Sequence, residues 1–540
     1  MSSSCRSVII CCNAYPPKFI GGAELIAHYQ AKELIKQGHR VVVLAAETYS
    51  VNKQYEFYED SFEGITVYRI RMDFDNFDIS YVNFFNNHVN KAFEMLVDKY
   101  NADVLHAHNL IGLSLGIFDI AKKRGMKTVL TLHDHWGYCL KNTILHSSGN
   151  ICTDTSHCTD CLPALTGGGI NIPLKFRKDY FKHIYDKIDV LISPSQYLAD
   201  GYEKNFITNR KVNVIWNGID VDKYKQIKKK PSNKIRFTYI GYLGHHKGIQ
   251  VFLDAAKMSK YRDKIEINFA GSGENVEAYQ DFVKNNGLAD TVNFLGRVPN
   301  SEIMQVYEKT DVYVLASIWP ENQPVSITEA MSCGIPVITS DIGGSVELVE
   351  DGVTGFHFKA GSAADLAAKM DYFAENPEKI SEFGRNGLQK IEPFTFSEQV
   401  KKIVAKYNED SSFVPVHSRK VKIAVVGKTV PDNISSGLCN SAEFYKIDWM
   451  WDDLLKIDII VLLEDSGLSA DDLFSLIRTS SAAVIVPESN SDMTTLVKKY
   501  NCGLYYVNAH NIYKYLEYLL TNNFQLRSLQ YRANVLLGNK

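Results

Sequence analysis

Short apolar runs alternate with segments of helical periodicity along the first part of the chain. The runs are rich in Val, Ile and Leu and lack the alternation of a half-exposed strand, which predicts strands buried on both faces. Between the first two runs, apolar side chains from Leu25 to Ile35 follow helical spacing, and Gly38 fits a helix stop. This order predicts a parallel α/β sheet with strands at 6–12, 40–46, 102–108, 127–133 and 189–195.

The same pattern restarts after a polar, lysine-rich stretch at 224–234, which suits an exposed linker. Ligands of open α/β sheets collect beyond the carboxyl ends of the strands. We therefore predict two Rossmann-like domains, over 1–220 and 221–414, that face a common cleft. The strands of the second domain are predicted at 235–241, 265–271, 291–296, 311–317 and 335–341.

Composition narrows the classes of function. The chain has 540 residues, of which 45% are hydrophobic and 22% charged, and a formal charge of -3 with both signs mixed along it. It therefore lacks the broad basic field that nucleic-acid binding needs. The apolar runs are far shorter than the roughly 20 residues of a membrane span, and the first residues do not read as a secretory signal. We expect a cytoplasmic protein that does not bind nucleic acid.

Two glutamates, Glu321 and Glu329, stand in the stretch WPENQPVSITEAMSCG. Glu321 follows the predicted strand at 311–317 and so lies on a loop at the cleft, whereas Glu329 falls on the helix that this loop starts. Such a pair can accept hydrogen bonds from several hydroxyls of one ligand, while free amides at the helix start can face an anion. The pair indicates a polyhydroxylated, phosphorylated ligand; the alternative is a solvated acidic pair.

Glycine-containing loops surround this pair. GYLGHHKG, AGSGE, LGRVP and SDIGGSVELVEDGVTGF follow in order along the second domain, and GGAE stands at 21–24. Together these motifs, within 6–405, resemble the retaining glycosyltransferases of the GT-B fold, in the large GT4 family. The resemblance implies a glycosyltransferase of the hexosyltransferase class (EC 2.4) in polysaccharide biosynthesis. It further implies a nucleotide-sugar donor and a glycan or lipid-linked glycan acceptor.

The resemblance also implies roles for single residues. Glu329 matches the glutamate that holds the ribose hydroxyls of the donor, and Glu321 matches the one that holds hydroxyls of the transferred sugar. Lys247 matches the lysine on the diphosphate, where its charge stabilises the leaving group. His133, in TLHDH, matches a histidine at the cleft near the sugar and the acceptor, and forms the implied catalytic set with Glu321 and Lys247. Asn322, beside Glu321, belongs to the implied donor site.

Other parts of the implied donor site lie in two loops. Gly21 and Gly22 match the glycine loop whose backbone approaches the phosphates, which a residue without Cβ permits. Arg297 and Val298 lie in the loop that usually contacts the base.

One position departs from the family pattern. Many relatives carry arginine shortly after the strand glycine, whereas this chain has Tyr242, which carries no positive charge. Either a nearby cation compensates, with His245, His246 and Arg297 as the candidates, or the diphosphate is held more weakly.

The resemblance implies that the anomeric configuration is retained. No carboxylate in the matched motifs suits a covalent nucleophile, so we expect front-face displacement. In this mechanism the acceptor hydroxyl attacks the side that the diphosphate leaves, and the phosphate takes its proton. The matched cleft loops hold no Asp-x-Asp metal motif, and we expect no cofactor for catalysis. A nucleotide-sugar epimerase shares the fold, but the glutamate spacing fits the transferase better. The remaining alternative is a nucleotide-sugar-binding or scaffolding protein whose catalysis has lapsed.

The chain contains one dense group of cysteines, Cys139, Cys152, Cys158 and Cys161. The last two have the spacing of a ligand pair for a tetrahedral structural zinc, and the first two, or His157 as a substitute, can complete the set. The alternative is four reduced cysteines in a loop.

Beyond the matched region, apolar runs at 421–427, 458–463, 482–487 and 503–507 are again typical of α/β strands. Shifted by 147 positions, Val484 falls on Val337, and one inserted residue later Gly503 falls on Gly355. The positions of the two glutamates are then occupied by Leu468 and Leu476. We predict that 415–540 is a degenerate, non-catalytic Rossmann-like repeat that packs against the enzyme, a protein partner or another subunit; the alternative is chance similarity.

The segment 171–189 mixes basic and aromatic residues in the acceptor-side domain. Phe181, Ile184 and Tyr185 share one face of a predicted helix, which we assign to the core. The basic residues are either simply solvated or contact anionic lipid headgroups, which would hold the enzyme peripherally at the inner face of a membrane. They are Lys175, Arg177, Lys178, Lys182 and Lys187.

Overall fold

The computed structural model describes residues 5–18, 21–47, 55–72, 84, 86–146, 148–153, 155, 158, 161, 174–205, 208 and 210–409. In the C-terminal part it describes 421–426, 442–446, 459–463, 466, 483–487, 489, 491–500, 503–506, 512 and 515–516. These residues form three sheets that are parallel or nearly so.

The first sheet has eight strands. They are β1 Ser7–Cys12, β2 Arg40–Glu47, β3 Phe57–Phe62, β4 Ile65–Arg71, β5 Val104–Ala107, β6 Lys127–Thr131, β7 Val190–Ser193 and β8 Val212–Val214. The order is β3-β4-β2-β1-β5-β6-β7-β8, with only the β3–β4 pair antiparallel. Every residue of β1, β5 and β7 is buried, as expected of strands covered on both faces. The β3–β4 hairpin lies outside the predicted runs. Strand β3, FYEDSF, is polar and partly exposed, whereas β4, ITVYRIR, is mostly buried and was missed although most of its residues are apolar.

Helices connect these strands and cover both faces of the first sheet. They are α1 Gly22–Lys36, α2 Asn87–Tyr100, α3 Gly116–Lys123, α4 Leu174–Lys187 and α5 Gln196–Lys204. Phe181, Ile184 and Tyr185 of α4 are buried in one apolar cluster with Leu105 and Leu130, which confirms the predicted core face of this helix.

The second sheet has six parallel strands in the order β11-β10-β9-β12-β13-β14, with β9 at Ile235–Ile240, β10 at Ile265–Ala270, β11 at Val292–Gly296, β12 at Val312–Leu315, β13 at Val337–Ser340 and β14 at Gly355–Phe358. One continuous apolar cluster packs around it, with Phe237, Phe269 and Ile338 fully buried. The helices are α6 Val221–Tyr224, α7 Ile249–Met258, α8 Val276–Asn285, α9 Ile303–Glu308, α10 Val325–Ser332, α11 Ser345–Leu348, α12 Ala363–Glu375 and α13 Glu378–Ile391. Two 3-10 turns lie at His245–Lys247 and Asn300–Glu302.

The next helix, α14 Phe396–Asn408, returns to the first sheet. Val400, Ile403 and Tyr407 are buried in the same apolar cluster as Ile10 of β1. The predicted boundary assigned this helix to the second domain, within 221–414, but its apolar face packs on the first. The helix carries apolar side chains at helical spacing, a pattern that shows burial without showing against which sheet.

The C-terminal residues form a third, five-stranded parallel sheet in the order β16-β15-β17-β18-β19, with β15 at Val421–Val426, β16 at Ala442–Lys446, β17 at Ile459–Leu462, β18 at Ala483–Pro487 and β19 at Gly503–Tyr506. A helix, α15 Ser491–Tyr500, connects the last two strands. The order of the five strands matches that of β10-β9-β12-β13-β14 in the second sheet.

The strand registers of the two sheets also agree with the shift seen in the sequence. Val484 pairs with Ile460 on one side and with Gly503 on the other. Its counterpart Val337 pairs with Tyr313 and Gly355 in the same way. Leu468 and Leu476 lie outside the described residues, so the loss of the two carboxylates in this region and its non-catalytic role stay predictions.

Among the helices in the described ranges, none is both long and apolar enough to cross a membrane.

Candidate active site

The loop after β12 and the turn after β9 bring Glu321 and Lys247 together. Lys247 Nζ donates to Glu321 Oε1 across 2.6 Å, and both side chains are largely buried. Ser317 Oγ and Trp319 Nε1 donate to the same oxygen, at 2.6 and 2.8 Å. Burial alone would raise the pKa of Glu321, but Lys247 and these hydrogen bonds outweigh burial and lower the pKa. The carboxylate is therefore ionised and paired with Lys247.

Glu329 lies on α10 between two tyrosines. Tyr224 OH donates to Oε1 at 2.5 Å, and Tyr307 OH donates to Oε2 at 2.8 Å. Burial raises the pKa of this carboxyl, although the two hydroxyls act in the opposite direction. Both oxygens are thus held in fixed directions while each keeps capacity to accept a further hydrogen bond.

The glycine loop of the first domain approaches the start of α10. Gly21 precedes α1 in an extended conformation and Gly22 is its first residue. A Cβ on Gly22 would lie 3.6 Å from Cγ2 of Val325, the first residue of α10. The starts of two helices, one from each domain, therefore meet at the cleft. Helix starts offer free amides and a positive dipole end, which suit a phosphate group.

His133 and Asn322 lie on opposite sides of the cleft and contact each other. Asn322 Nδ2 donates to the backbone oxygen of His133 at 2.9 Å, while Asn322 Oδ1 is buried and has no hydrogen-bond partner among the described residues. Asn322 therefore joins the two domains with one end of its amide, and its other end is left as an acceptor.

The imidazole of His133 is the end of a stack of three histidines. Its ring centroid lies 5.2 Å from that of His108, which lies 4.7 Å from that of His106. His108 Nδ1 and His133 Nε2 share a hydrogen bond of 2.9 Å. Burial lowers the pKa of His133 to about 4, so this ring is neutral near pH 7.

A second link between the domains lies beside the cleft. The carboxylate of Glu347 on α11 accepts the amides of Gln196 and Tyr197, at 2.9 and 2.8 Å. Ser195 Oγ accepts the amide of Leu198 at 3.2 Å. The free amides at the start of α5 are thus satisfied mainly by a charged group of the other domain.

His246, one candidate to replace the charge missing at Tyr242, packs beside that residue. His246 lies between Tyr242 and Trp319, with ring centroids 6.0 and 4.7 Å away. Burial and the neighbouring Lys247 lower the pKa of His246. The lowered pKa favours the neutral form of His246 near pH 7, and its role in compensating for the missing charge stays a prediction.

Arg297 and Val298 do not join the hydrogen bonds around Glu321 and Glu329 that the structure describes. Arg297 is exposed, and Val298 is partly buried against the apolar cluster of the second domain. Within the described residues, no hydrogen bond or ion pair joins Arg297 to Glu321 or Glu329. Their predicted contact with the base stays a prediction.

The four cysteines of the candidate zinc site are half-buried, and none of them forms a disulfide among the described residues. Among the residues that the structure describes, no group of three or more His, Cys, Asp or Glu side chains is arranged to hold a metal ion. Cys158 Sγ donates instead to the backbone oxygen of Thr155 at 3.1 Å. His157, the predicted substitute ligand, lies outside the described residues.

The predicted basic face of α4 is smaller than its sequence indicates. Arg177 is buried, donates to the backbone oxygen of Trp136 and lies 4.0 Å from the ring centroid of Phe181. Lys182 and Lys187 form ion pairs with Asp186 and Asp119, at 3.2 and 2.6 Å. Arg177 fits neither alternative for these basic residues, a solvated face or a lipid-facing one, because its guanidinium stacks on aromatic rings in the core.

Lys178, on the same helix, is exposed. The side chain of Lys175 lies outside the described residues.

Sequence reasoning missed three groups at the site. Tyr224 and Tyr307 stand 105 and 22 residues from Glu329 and belong to no recognisable motif. His108 could have been found, because it ends a predicted strand in the same way as the histidine of TLHDH. Parallel strands bring their carboxyl ends to one edge of a sheet.

Comparisons with known proteins agree with this geometry. Residues 20–223 match the family described as Glycosyltransferase Family 4, and residues 220–390 match Glycosyl transferases group 1. An uncharacterized glycosyltransferase of Methanocaldococcus jannaschii is 26% identical over 63% of this chain and 82% of its own length. An N-acetylgalactosaminyltransferase of Campylobacter jejuni, named as acting on N,N'-diacetylbacillosaminyl-diphospho-undecaprenol, is 27% identical over 34% of this chain and 44% of its own.

Solved structures give the same fold. Anabaena HepE in complex with UDP superposes with a TM-score of 0.55 at 19% identity, over 74% of this chain and 98% of that one. The sucrose-phosphate synthase of Thermosynechococcus elongatus superposes with a TM-score of 0.56 at 16% identity, again over 74% and 98%. At such identities the likeness establishes the architecture alone, and the family matches establish the membership. The chain belongs to the GT4-like glycosyltransferases of the GT-B fold, enzymes of class EC 2.4 that transfer a sugar.

Proposed function

We infer that this glycosyltransferase transfers a sugar with retention from a nucleotide-sugar to a glycan or lipid-linked glycan, by front-face displacement. The observation that carries this proposal is the convergence of Glu321, Lys247 and Glu329 on the loops and helix starts of one cleft. Two carboxylates with fixed orientations suit two sets of hydroxyls, and a single lysine between helix starts suits a diphosphate.

The contacts of Glu321 support its assignment to the transferred sugar. The three hydrogen bonds it accepts converge on Oε1. Within the described ranges, no donor contacts Oε2, which leaves that oxygen for sugar hydroxyls. In the proposed complex Lys247 stays beside the carboxylate and extends its charge towards the diphosphate, where it stabilises the negative charge that develops as the glycosidic bond breaks.

Glu329 is proposed to hold the ribose. Its two oxygens are directed by Tyr224 and Tyr307, and each can accept one further hydrogen bond from a vicinal hydroxyl pair. In this proposal Glu321 binds the transferred sugar and Glu329 binds the nucleoside, as the resemblance implies.

Metal independence is part of the proposal. Lys247 and the amides at the starts of α1 and α10 supply positive charge and hydrogen-bond donors for the diphosphate. We expect transfer to continue in excess chelator. Loss of activity that added magnesium or manganese restores, with an unchanged circular dichroism spectrum, would contradict this part.

The names of relatives support the acceptor class. One relative is named for amylovoran biosynthesis in Erwinia amylovora, and the Campylobacter jejuni enzyme is named for a substrate linked through diphosphate to undecaprenol. The HepE complexes with UDP and UDP-glucose support a nucleotide-sugar donor. We propose that this chain likewise extends a surface glycan or its lipid-linked precursor.

The test begins with a thermal-shift screen of nucleotide-sugars, since a ligand at 100 times its dissociation constant adds about 2.7 kcal/mol to the free energy of unfolding. The donor that binds is then offered to glycan and polyprenyl-diphosphate-linked acceptors. NMR of the product reads the anomeric configuration, and inversion would contradict the mechanism.

Two variants test the site itself. Glu329→Ala should mainly raise the KM for the donor, because hydrogen bonds to a charged acceptor are worth roughly 1.5 to 3 kcal/mol. Glu321→Ala should also lower kcat, because it orients the reacting sugar. Wild-type transfer by both variants would show that the site assignment is wrong. Donor binding without transfer to any acceptor would favour the lapsed-catalysis alternative.

A further inference from the structure

His108 is buried directly behind His133. Only about 1% of its surface is exposed, and it lies just beyond the carboxyl end of β5. Its Nδ1 lies 2.9 Å from His133 Nε2, the usual length of a hydrogen bond between two nitrogens. Its Nε2 is buried and has no hydrogen-bond partner among the described residues. The pair therefore has a limited number of proton arrangements.

A neutral imidazole carries one proton, and the partners of the ring decide which nitrogen holds it. If His133 donated from Nε2, then His108 Nδ1 would be the acceptor and its proton would sit on Nε2. That would bury an N–H group without a partner, which is rare and costly in folded proteins. If His108 donates from Nδ1 instead, its buried Nε2 is an acceptor without a hydrogen bond. A buried acceptor without a partner costs less free energy than a buried N–H donor without one.

The second arrangement determines the chemistry of His133. Its Nε2 accepts from His108, so its single proton lies on Nδ1. This Nδ1 has no hydrogen-bond partner within the described ranges. It is absent from the buried atoms that lack a partner, so it is not buried. We propose that His108 is a positioning residue that holds His133 as a hydrogen-bond donor at Nδ1 and thereby prevents it from acting as a general base. The ligand of Nδ1 would be an oxygen of the sugar or the acceptor; this last point rests on the proposed function.

The groups around His108 and His133 are consistent with a proton on Nδ1 of both rings. His106, next in the stack, has both nitrogens engaged, with Tyr407 OH at 2.7 Å and Thr131 Oγ1 at 2.8 Å. Asp134 adjoins His133, but its carboxylate accepts from Asn109 and from the amide of Trp136. From the opposite domain, Asn322 donates to the backbone oxygen of His133, and within the described residues it makes no hydrogen bond to the ring. The donor at Nδ1 also fits front-face displacement, in which the departing phosphate takes the acceptor's proton.

The tautomer can be measured without any substrate. The full chain is labelled with 15N-histidine, and two-bond 1H–15N spectra at pH 7 distinguish a protonated Nδ1 from a protonated Nε2. The variants His108→Asn and His133→Asn assign the two residues among the 15 histidines. We expect a proton on Nδ1 in both rings. A proton on Nε2 of His133 would overturn the proposal.

Variants of His108 test its role. His108→Leu should let the Nε2 tautomer of His133 appear, whereas His108→Asn offers an amide donor near the place of Nδ1 and should keep the wild-type tautomer. His106→Asn is the matched control, since His106 does not bond to His133. This variant should leave the tautomers of His108 and His133 unchanged. An unchanged His133 in His108→Leu would refute the positioning role. If that variant does not fold, the wild-type spectrum still decides the tautomer.

Activity measurements distinguish a hydrogen-bond donor at His133 from a general base. His133→Asn can place an amide N–H near the position of Nδ1, so its kcat should exceed that of His133→Ala by about tenfold. Equal loss in both variants would indicate that His133 acts as a base, against the proposal. A chain that transfers no sugar in any form would refute the proposed function, while the spectra would still report on His108.

Discussion

Lys247 Nζ lies 2.6 Å from Glu321 Oε1, so the residue assigned to the diphosphate and the residue assigned to the transferred sugar form one ion pair. Burial raises the pKa of Glu321, but Lys247 and the hydrogen bonds from Ser317 and Trp319 together outweigh it, so the pKa is lowered in the folded state. The ionised carboxylate therefore contributes stability above its unfolded pKa, and this stability is lost as pH falls through the lowered folded pKa.

Removing the cation should reverse this dependence. In Lys247→Met, burial of Glu321 is opposed only by neutral donors, so its pKa should rise and the folded state should lose stability as pH increases. The loss should stay below the roughly 3 to 5 kcal/mol of a fully buried broken pair, because Ser317 and Trp319 still donate. Urea unfolding between pH 4 and 8 measures it. Lys247→Met/Glu321→Gln should recover stability; equal pH profiles for wild type and Lys247→Met would contradict the prediction.

The tyrosines around Glu329 should control donor affinity. In Tyr224→Phe/Tyr307→Phe the carboxylate loses both directing hydroxyls, and we expect the KM for the donor to rise by at least about tenfold, with a smaller change in kcat. Steady-state kinetics at fixed acceptor measures this. Tyr261→Phe is the matched control, because it removes a similar tyrosine–carboxylate bond, 2.9 Å to Glu375, elsewhere in the second domain. A donor KM that changes equally in the control would reject this role.

Glu347 should favour the closed arrangement of the two domains. Glu347→Ala exposes the amides of Gln196 and Tyr197 to water, so the closed form loses two charge-assisted hydrogen bonds. We expect a larger radius of gyration in small-angle X-ray scattering and weaker donor binding. Glu378→Ala, an exposed carboxylate at the start of α13, serves as the control. Identical scattering from wild type and Glu347→Ala would argue against this role.

The cysteine group gives a prediction about metal content. If zinc binds there, purified protein should contain close to one equivalent, and Cys158→Ser/Cys161→Ser should lose it and unfold at a lower temperature. Elemental analysis by mass spectrometry measures the metal, with Cys5→Ser at an exposed cysteine as the control. Less than about a tenth of an equivalent in the wild type would end the zinc hypothesis.

Among the basic residues of α4 whose side chains the structure describes, Lys178 is exposed and forms no ion pair with another described residue. We therefore expect it to contribute most to contact with a membrane surface. Each basic residue near an anionic surface is worth about 1 kcal/mol, so a face reduced by the burial of Arg177 should bind weakly and in a salt-sensitive way. Sedimentation with anionic and neutral vesicles should show binding to the anionic ones alone, reduced by Lys178→Glu. Lys257→Glu, at an exposed position in α7, controls for net charge. Negligible binding to both kinds of vesicle would contradict membrane contact and would indicate that the acceptor is a soluble molecule.

Sequence patterns predicted most of the parallel strands, because buried parallel strands are continuous apolar runs that few other structures produce. They missed the antiparallel strand β3 and the parallel strands β4, β8, β14 and β16. They also predicted the loop and helix positions of Glu321 and Glu329. Pairings between distant side chains could not be predicted in this way: nothing local indicates that Tyr307 bonds to Glu329, or that Arg177 stacks on Phe181 instead of facing solvent. A charged residue on an amphipathic helix is usually solvated, and only the packed neighbours show the exception.

The return of α14 to the first sheet affects how the chain folds as it is made. Val400, Ile403 and Tyr407 complete an apolar layer whose other members begin with Val8. Tyr407 also bonds to His106, 301 residues earlier. During synthesis, domains usually fold from the amino terminus as they emerge from the ribosome. Here the first domain keeps an uncovered apolar face until the whole second domain has been translated, so a nascent chain that stops near residue 390 is expected to be prone to aggregation.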